Sequence, residues 1–234
     1  MNQNQIEPYL TASKNVREGV AGVVSTQGFK KLTSRRLFQF LYLLRYLEHL
    51  HSVLILFEEN KYNSAFALRR VLFDTYLRGM WISRCATNEM IESARKNNFN
   101  FKKKDFPENR KELQKAVATT AQDSALDRES TMYSRASGFV HSGLYETAMY
   151  AIRNNPKVSE HLFRNARRTL RNITIRLLQL SLDFYVQMLR DATTSRPNGV
   201  LGIEELMSCT TSLQTIAKQY RLDLARIDGR PTSA

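Results

Sequence analysis

The sequence predicts an all-α fold, an elongated helical bundle, and three observations predict it. Only 9 Gly and 5 Pro are spread over 234 residues, too few breakers for a protein of many short strands and tight turns. Apolar residues recur at helical spacing over long runs, most clearly from Ser34 to Glu59 and from Val158 to about Ala192. Hydrophobic residues make up 42% of the chain, enough to build a core without disulfide or metal staples at this length. Pattern counting gives about six to eight helices. We expect one helical domain over residues 1–234, with its core at about 34–190 and helical extensions at both ends.

Each element has a local reason. Ile6 to Val24 reads as a first helix, with Glu7 in the opening turn where negative charge suits the helix dipole. From Ser34 to Glu59, Leu37, Leu41, Leu44, Leu47, His51, Val53, Leu54 and Phe57 follow a helical repeat. The stretch "ENKYNS" is a turn, and Asn63 or Ser64 is expected to cap a third helix through "AFALRRVLFDTYLRGMWISRCA". These two long helices should pair antiparallel, because a few residues join them. Residues Arg95 to Lys115 carry eight basic and three acidic side chains, with Phe99, Phe101 and Phe106 interleaved, and read as helices flanking a loop. Asp127 to Arg153 reads as a helix softened at Gly138 and Gly143. After the break at "NNP", a long helix from Val158 to about Ala192 places Leu162, Phe163, Ala166, Leu170, Ile173, Leu177, Leu180 and Phe184 on one face. "TTSRPNGVLG" is a linker, Ile203 to Leu224 a last helix, and "DGRPTSA" a frayed tail.

Composition narrows the partners. Lys plus Arg exceed Asp plus Glu by 13, and such a field attracts polyanions, nucleic acid first. Cys85 and Cys209 form no CxxC pair and no ligand cluster, so neither a zinc site nor a disulfide framework is expected, and no cofactor. "MNQNQIEPYL" lacks the basic and apolar regions of a signal peptide, which makes a cytoplasmic setting the expectation. The apolar run Leu37–Phe57 is long enough to span a bilayer, but Arg45, Glu48, His49 and His51 would each be costly there. It is expected to be a buried helix, with no membrane partner.

Four constellations could carry chemistry. Arg70, Asp74 and Arg78 stand at successive i, i+4 positions beside an apolar face of Phe66, Phe73, Leu77 and Trp81, either as an exposed charge row or as a fixed polar network. Arg164, Arg167, Arg168 and Arg171 form a row opposite the apolar face of the long helix, and Lys102, Lys103 and Lys104 a basic run; each is a solvated surface or a hold on nucleic-acid phosphates. In "YSRASGFVHSG", Arg135 is followed after five residues by His141, with Ser134 and Ser142 alongside. That pair is what metal-independent RNA cleavage requires: a group that takes the proton of the attacking 2′-hydroxyl and a cation for the charge that builds on phosphorus. Arg45 to His51 repeats the spacing, but its apolar setting favours a satisfied polar cluster in the core. His49 and His161 lack partners at metal-ligand spacing, and Met80 and Trp81 read as core.

An arginine followed after five residues by a histidine, in a basic helical chain, resembles the HEPN superfamily of helical-bundle ribonucleases and defence or toxin proteins. The stretch "RRVLFDTYLRGMWISRCAT" with the later "FVHSG" is also similar to uncharacterised bacterial proteins of that class, and the likeness covers roughly Ser34 to Leu189. It implies a metal-independent endoribonuclease or toxin of a bacterial defence or toxin–antitoxin system. RNA would be its substrate and a homodimer its working form, with an antitoxin or other defence component as a further partner. Arg135 and His141 would be the active pair, supported by Asp74 and Arg78. Ala136 follows the motif arginine, where those nucleases commonly carry a polar residue. Two further readings stay open: a non-catalytic binding module of the same fold, and a nucleotide sensor.

Overall fold

The computed structural model describes residues 5–25, 32–96, 156–194 and 201–230, and among them all regular structure is helical. The helices are α1 (Glu7–Ser25), α2 (Ser34–Glu58), α3 (Tyr62–Arg84), α4 (Asn88–Arg95), α5 (Pro156–Thr194) and α6 (Ile203–Ile227). The all-α bundle expected from the sequence is therefore what the chain forms. Arg135, His141, Ser134, Ser142, Lys102, Lys103 and Lys104 lie outside the described residues, as do the helix expected at Asp127–Arg153 and most of the basic loop.

Local chemistry sets the helix ends. Thr33 Oγ1 accepts the backbone N–H of Arg36, and Thr87 Oγ1 that of Met90, capping α2 and α4. The α2–α3 turn is made by Asn60 in the left-handed region (φ 56°), with Lys61 N–H donating to Leu56 C=O at 2.7 Å and Asn60 N–H to Phe57 C=O at 3.1 Å. This closure lets α3 begin at Tyr62, ahead of the caps expected at Asn63 or Ser64. α5 starts on Pro156, a residue suited to the first helical position because it has no N–H to satisfy.

α5 is the axis around which the rest is arranged. The pairings Arg69 with Thr169, Tyr76 with Gln179 and Arg84 with Asp183 rise together, so α3 runs parallel to it. Tyr46 O–H donates to Ile173 C=O while Arg36 meets Asp191, so α2 runs antiparallel. Ser13 meets Thr174 and Tyr185 meets Val23, setting α1 parallel to α5. Tyr9 reaches Asp228 at the end of α6, and Gly19 approaches Ile216, setting α1 and α6 antiparallel. At the other end of the α2–α3 pair, Arg35 donates to Ile82 C=O, which fixes their antiparallel course. Leu10, Val20, Leu43, Leu50, Leu72, Leu170, Leu177, Phe184 and Leu213 share one core, so α1 and α6 contribute to it as α2, α3 and α5 do.

α2 corrects an expectation. Leu37, Leu41 and Leu44, assigned to its buried face, are 43%, 49% and 39% exposed, while Arg36, Gln39, Leu43, Tyr46 and Leu50 are buried. The helix is apolar nearly all round, so spacing alone left the inward face undecided. By length and composition it is also the one helix, among the described residues, that suits a membrane span.

The core contains ion pairs that hydrophobic patterning does not reveal. Asp183, 5% exposed at its side chain, accepts from Arg84 Nε at 2.9 Å and Nη2 at 2.6 Å and from Ser83. Removing one partner of such a pair strands the other, whereas replacing the charge by an amide keeps part of the hydrogen bonding. Asp183→Ala should therefore cost about 2 kcal/mol in urea unfolding and Asp183→Asn distinctly less; equal losses would show that the carboxylate charge alone, not the hydrogen bonding an amide retains, is what Asp183 contributes.

Candidate functional site

Among the described residues α3 is held on two sides. Towards α5 it turns Arg69, Phe73 and Tyr76; towards α2 it turns Phe66, whose ring stands edge-on to that of Phe57. Gly79 allows the close approach, since a Cβ there would stand 2.8 Å from Leu180 Cδ1 and 3.2 Å from Tyr42 Cβ. Arg176 of α5 is buried with its guanidinium 4.5 Å from the centroid of Phe73 and 4.8 Å from that of Tyr76, an arrangement in which ring faces stabilise a desolvated cation. Burial pushes the Tyr76 phenol up, so it remains a neutral donor to Gln179.

Arg70, Asp74 and Arg78 lie on the remaining side of α3, Arg70 and Asp74 half-buried and Arg78 exposed. Burial raises the Asp74 carboxyl above its ordinary value, and Arg78 and then Arg70 pull it back without cancelling that effect. A carboxylate flanked by two guanidiniums at helical spacing would ordinarily be easier to ionise. Here desolvation wins, so the charge is held at a cost to the fold.

The arginine row of α5 is divided by its partners. Arg164 pairs with Glu160 at 2.8 Å, and Arg171 lies 3.0 Å from Asp228 Oδ2 at the end of α6. Arg167 is half-buried within electrostatic reach of Tyr9, and Arg168 is exposed. Asp228 also corrects the expectation of a frayed "DGRPTSA" tail, because residues 228–230 fold back on the bundle. Gly229 takes φ +66°, Arg230 N–H donates to Ala225 C=O at 2.9 Å, and Tyr9 O–H donates to Asp228 Oδ1 at 2.5 Å.

Arg45 and His51 are both exposed on α2, which corrects their assignment to a core cluster. Six residues of helix also place them roughly 120° apart around the axis. His49 is half-buried, and burial first, then Arg45, lowers its imidazole below the ordinary value, with Glu48 opposing. Burial raises the Cys209 thiol, which makes it a poor nucleophile. Among the described residues no group of three or more His, Cys, Asp or Glu could hold a metal ion.

Residues 45–188 match the model of a family of unknown function, DUF6988. The chain belongs to that family. The DUF6988 region runs from mid-α2 through α3 and α4 to most of α5, so it holds the Asp74 trio and also spans Arg135 and His141. No curated protein and no solved structure matches the chain.

Sequence reasoning found the α3 trio but missed the buried cations Arg36, Arg69 and Arg176. The one available signal was that Arg69 and Arg176 interrupt apolar stretches.

Because the folded-state value of Asp74 is raised, its ionised form costs stability above that value, and the cost fades as pH falls through it. Asp74→Asn should therefore match or exceed the wild-type melting temperature at pH 7, with any gain gone by about pH 4. A clear drop in melting temperature at pH 7 would make the carboxylate a structural salt-bridge partner instead.

Proposed function

We propose that this DUF6988 chain is a HEPN-type, metal-independent ribonuclease or toxin, acting as a cytoplasmic homodimer in a bacterial defence or toxin–antitoxin system. The observation that carries the reading is the row Arg70, Asp74, Arg78, with Asp74 half-buried between the two arginines, on the helix whose sequence resembles that superfamily. The all-α architecture and the charge excess of 13 agree with it.

The chemistry follows from the residue types. The 2′-hydroxyl of RNA attacks the adjacent phosphorus, and one His141 imidazole takes its proton. The bond to the 5′-oxygen breaks, and the imidazolium of a second subunit's equivalent residue returns a proton to that leaving oxygen. The products are a 2′,3′-cyclic phosphate and a 5′-hydroxyl. Arg135, charged at every relevant pH, offsets the negative charge that builds on the phosphoryl oxygens. Asp74, Arg70 and Arg78 would support the pair, Ser134 and Ser142 would donate hydrogen bonds, and Lys102, Lys103 and Lys104 would hold phosphates. No step requires a cofactor.

Purified protein incubated with single-stranded RNA should produce cyclic-phosphate ends in the presence of EDTA. His141→Ala should lower the rate by roughly 10²–10⁴-fold, the usual worth of a general acid or base, with RNA retention nearly unchanged. Equal degradation by wild type and variant would sink the enzymatic reading. RNA bound but never cut would assign the fold to a binding module, and nucleotide binding by a protein inert toward RNA to a sensor.

A further inference from the structure

The C-terminal turn gathers positive charge at one end of the bundle. Asp228 Oδ2 lies 3.0 Å from Arg171 Nη2 and 3.4 Å from Arg230 Nη2, so two guanidiniums converge on one carboxylate oxygen. Its other oxygen accepts from Tyr9, and the Asp228 side chain is only 12% exposed, while that of Arg230 is 67% exposed. Arg167 and Arg168 stand on the same side of α5 as Arg171, because positions three and four apart share a helix face. Two arginines thus hold a single acid, and Arg167 and Arg168 stand one turn away from Arg171 along α5. Of the neighbouring acids, Glu160 pairs with Arg164, while Asp223 and Glu7 line a groove together with Arg226.

The cations are also preorganised. Gly229 at positive φ and the N–H of Arg230 bonded to Ala225 C=O set the direction in which Arg230 leaves α6. Asp228, tied to α1 through Tyr9, holds Arg171 and Arg230 side by side. Closely set arginines with fewer acids than cations suit a chain of phosphates, since each presents a planar fork of donors.

We propose that Arg167, Arg168, Arg171 and Arg230 form a docking surface for the backbone of single-stranded RNA, with Asp228 as the residue that positions two of them. This rests on the RNA reading above and extends it to a surface that the C-terminal turn, outside the family-matched region, completes. The ligand chemistry is phosphodiester, not base, so the surface tracks charge and carries no sequence preference.

The test uses full-length protein in a His141→Ala background, so that bound RNA survives, with a fluorescently labelled oligouridylate as probe. Arg168→Ala with Arg230→Ala should leave the melting temperature unchanged, because Arg168 is exposed and Arg230 mostly so. It should weaken binding and flatten the dependence of log affinity on log salt by roughly 0.7 per lost contact, about 1.4 for the pair. Arg190→Ala supplies the control: the same exposed residue type on the same helix, about 33 Å from Arg168 at 1.5 Å per residue, should change neither. Wild-type affinity and slope in the double variant would overturn the proposal and leave the nuclease reading intact. So would an equal loss from Arg190→Ala, which would show an unlocalised charge effect. Loss of binding to phosphatidylglycerol vesicles with RNA binding untouched would overturn it in favour of a membrane surface. Cleavage-inert wild type with the expected binding pattern would uphold this surface while removing the nuclease reading.

Discussion

The register of the bundle is set by polar groups buried along α5. Thr169, Thr174, Arg176, Ser181 and Asp183 are all buried on a helix whose other buried positions, Ser159 apart, are apolar. Apolar contact supplies most of the driving force for assembly, but one leucine rung resembles the next, and a helix can slide by a turn with little loss of buried area. A buried hydroxyl or carboxylate has far fewer acceptable partners, because leaving it unmatched costs the full desolvation penalty. Arg69 must find Thr169, Arg84 and Ser83 must find Asp183, and Thr174 must find Ser13. Together these pairings fix α3 and α1 along the axis of α5, and Tyr46 and Arg36 do the same for α2.

That constraint reaches the candidate site through Gly79. With α3 in register, the glycine falls where Tyr42 and Leu180 crowd closest, and the three helices come together there. The side of α3 committed to α5 and α2 is then fully used, and the row Arg70, Asp74, Arg78 is left on the other side. One turn of slip would take the small residue away from the crowded point and put a larger side chain there. The placement of the trio is thus a consequence of packing elsewhere, and the desolvation felt by Asp74 comes with it.

How much of this could be read from the sequence depends on where the partner of each residue lies. Helices α1, α2, α3, α5 and α6 follow from apolar spacing and breakers, and for α5 the predicted inward row from Ala166 to Phe184 is the buried one. α2 failed in orientation because Leu37, Leu41 and Leu44 are as apolar as Leu43, Leu47 and Leu50; only the neighbours decide which set turns inward. The trio on α3 was legible because its members are neighbours along one helix. Its half-burial was not. The fate of Arg171 was illegible for a different reason: its acid, Asp228, lies across the bundle in a turn that the glycine and polar residues of "DGRPTSA" made look like a loose end.

The same distinction bears on the net charge. Composition counts every arginine alike, yet the structure sorts them into two populations. Arg36, Arg69 and Arg176 are buried against hydroxyls, carboxylates and aromatic rings, and Arg84 is bound to Asp183. Their charge is consumed in packing and lends little to any outer surface. Arg164, Arg168, Arg190 and Arg230 face solvent and supply the field an approaching polyanion would feel. A charge excess of 13 therefore does not measure the strength of a binding surface. What counts is local excess on rigid supports, and the C-terminal turn of α6 against α5 provides it because a single acid there has been made to hold two cations.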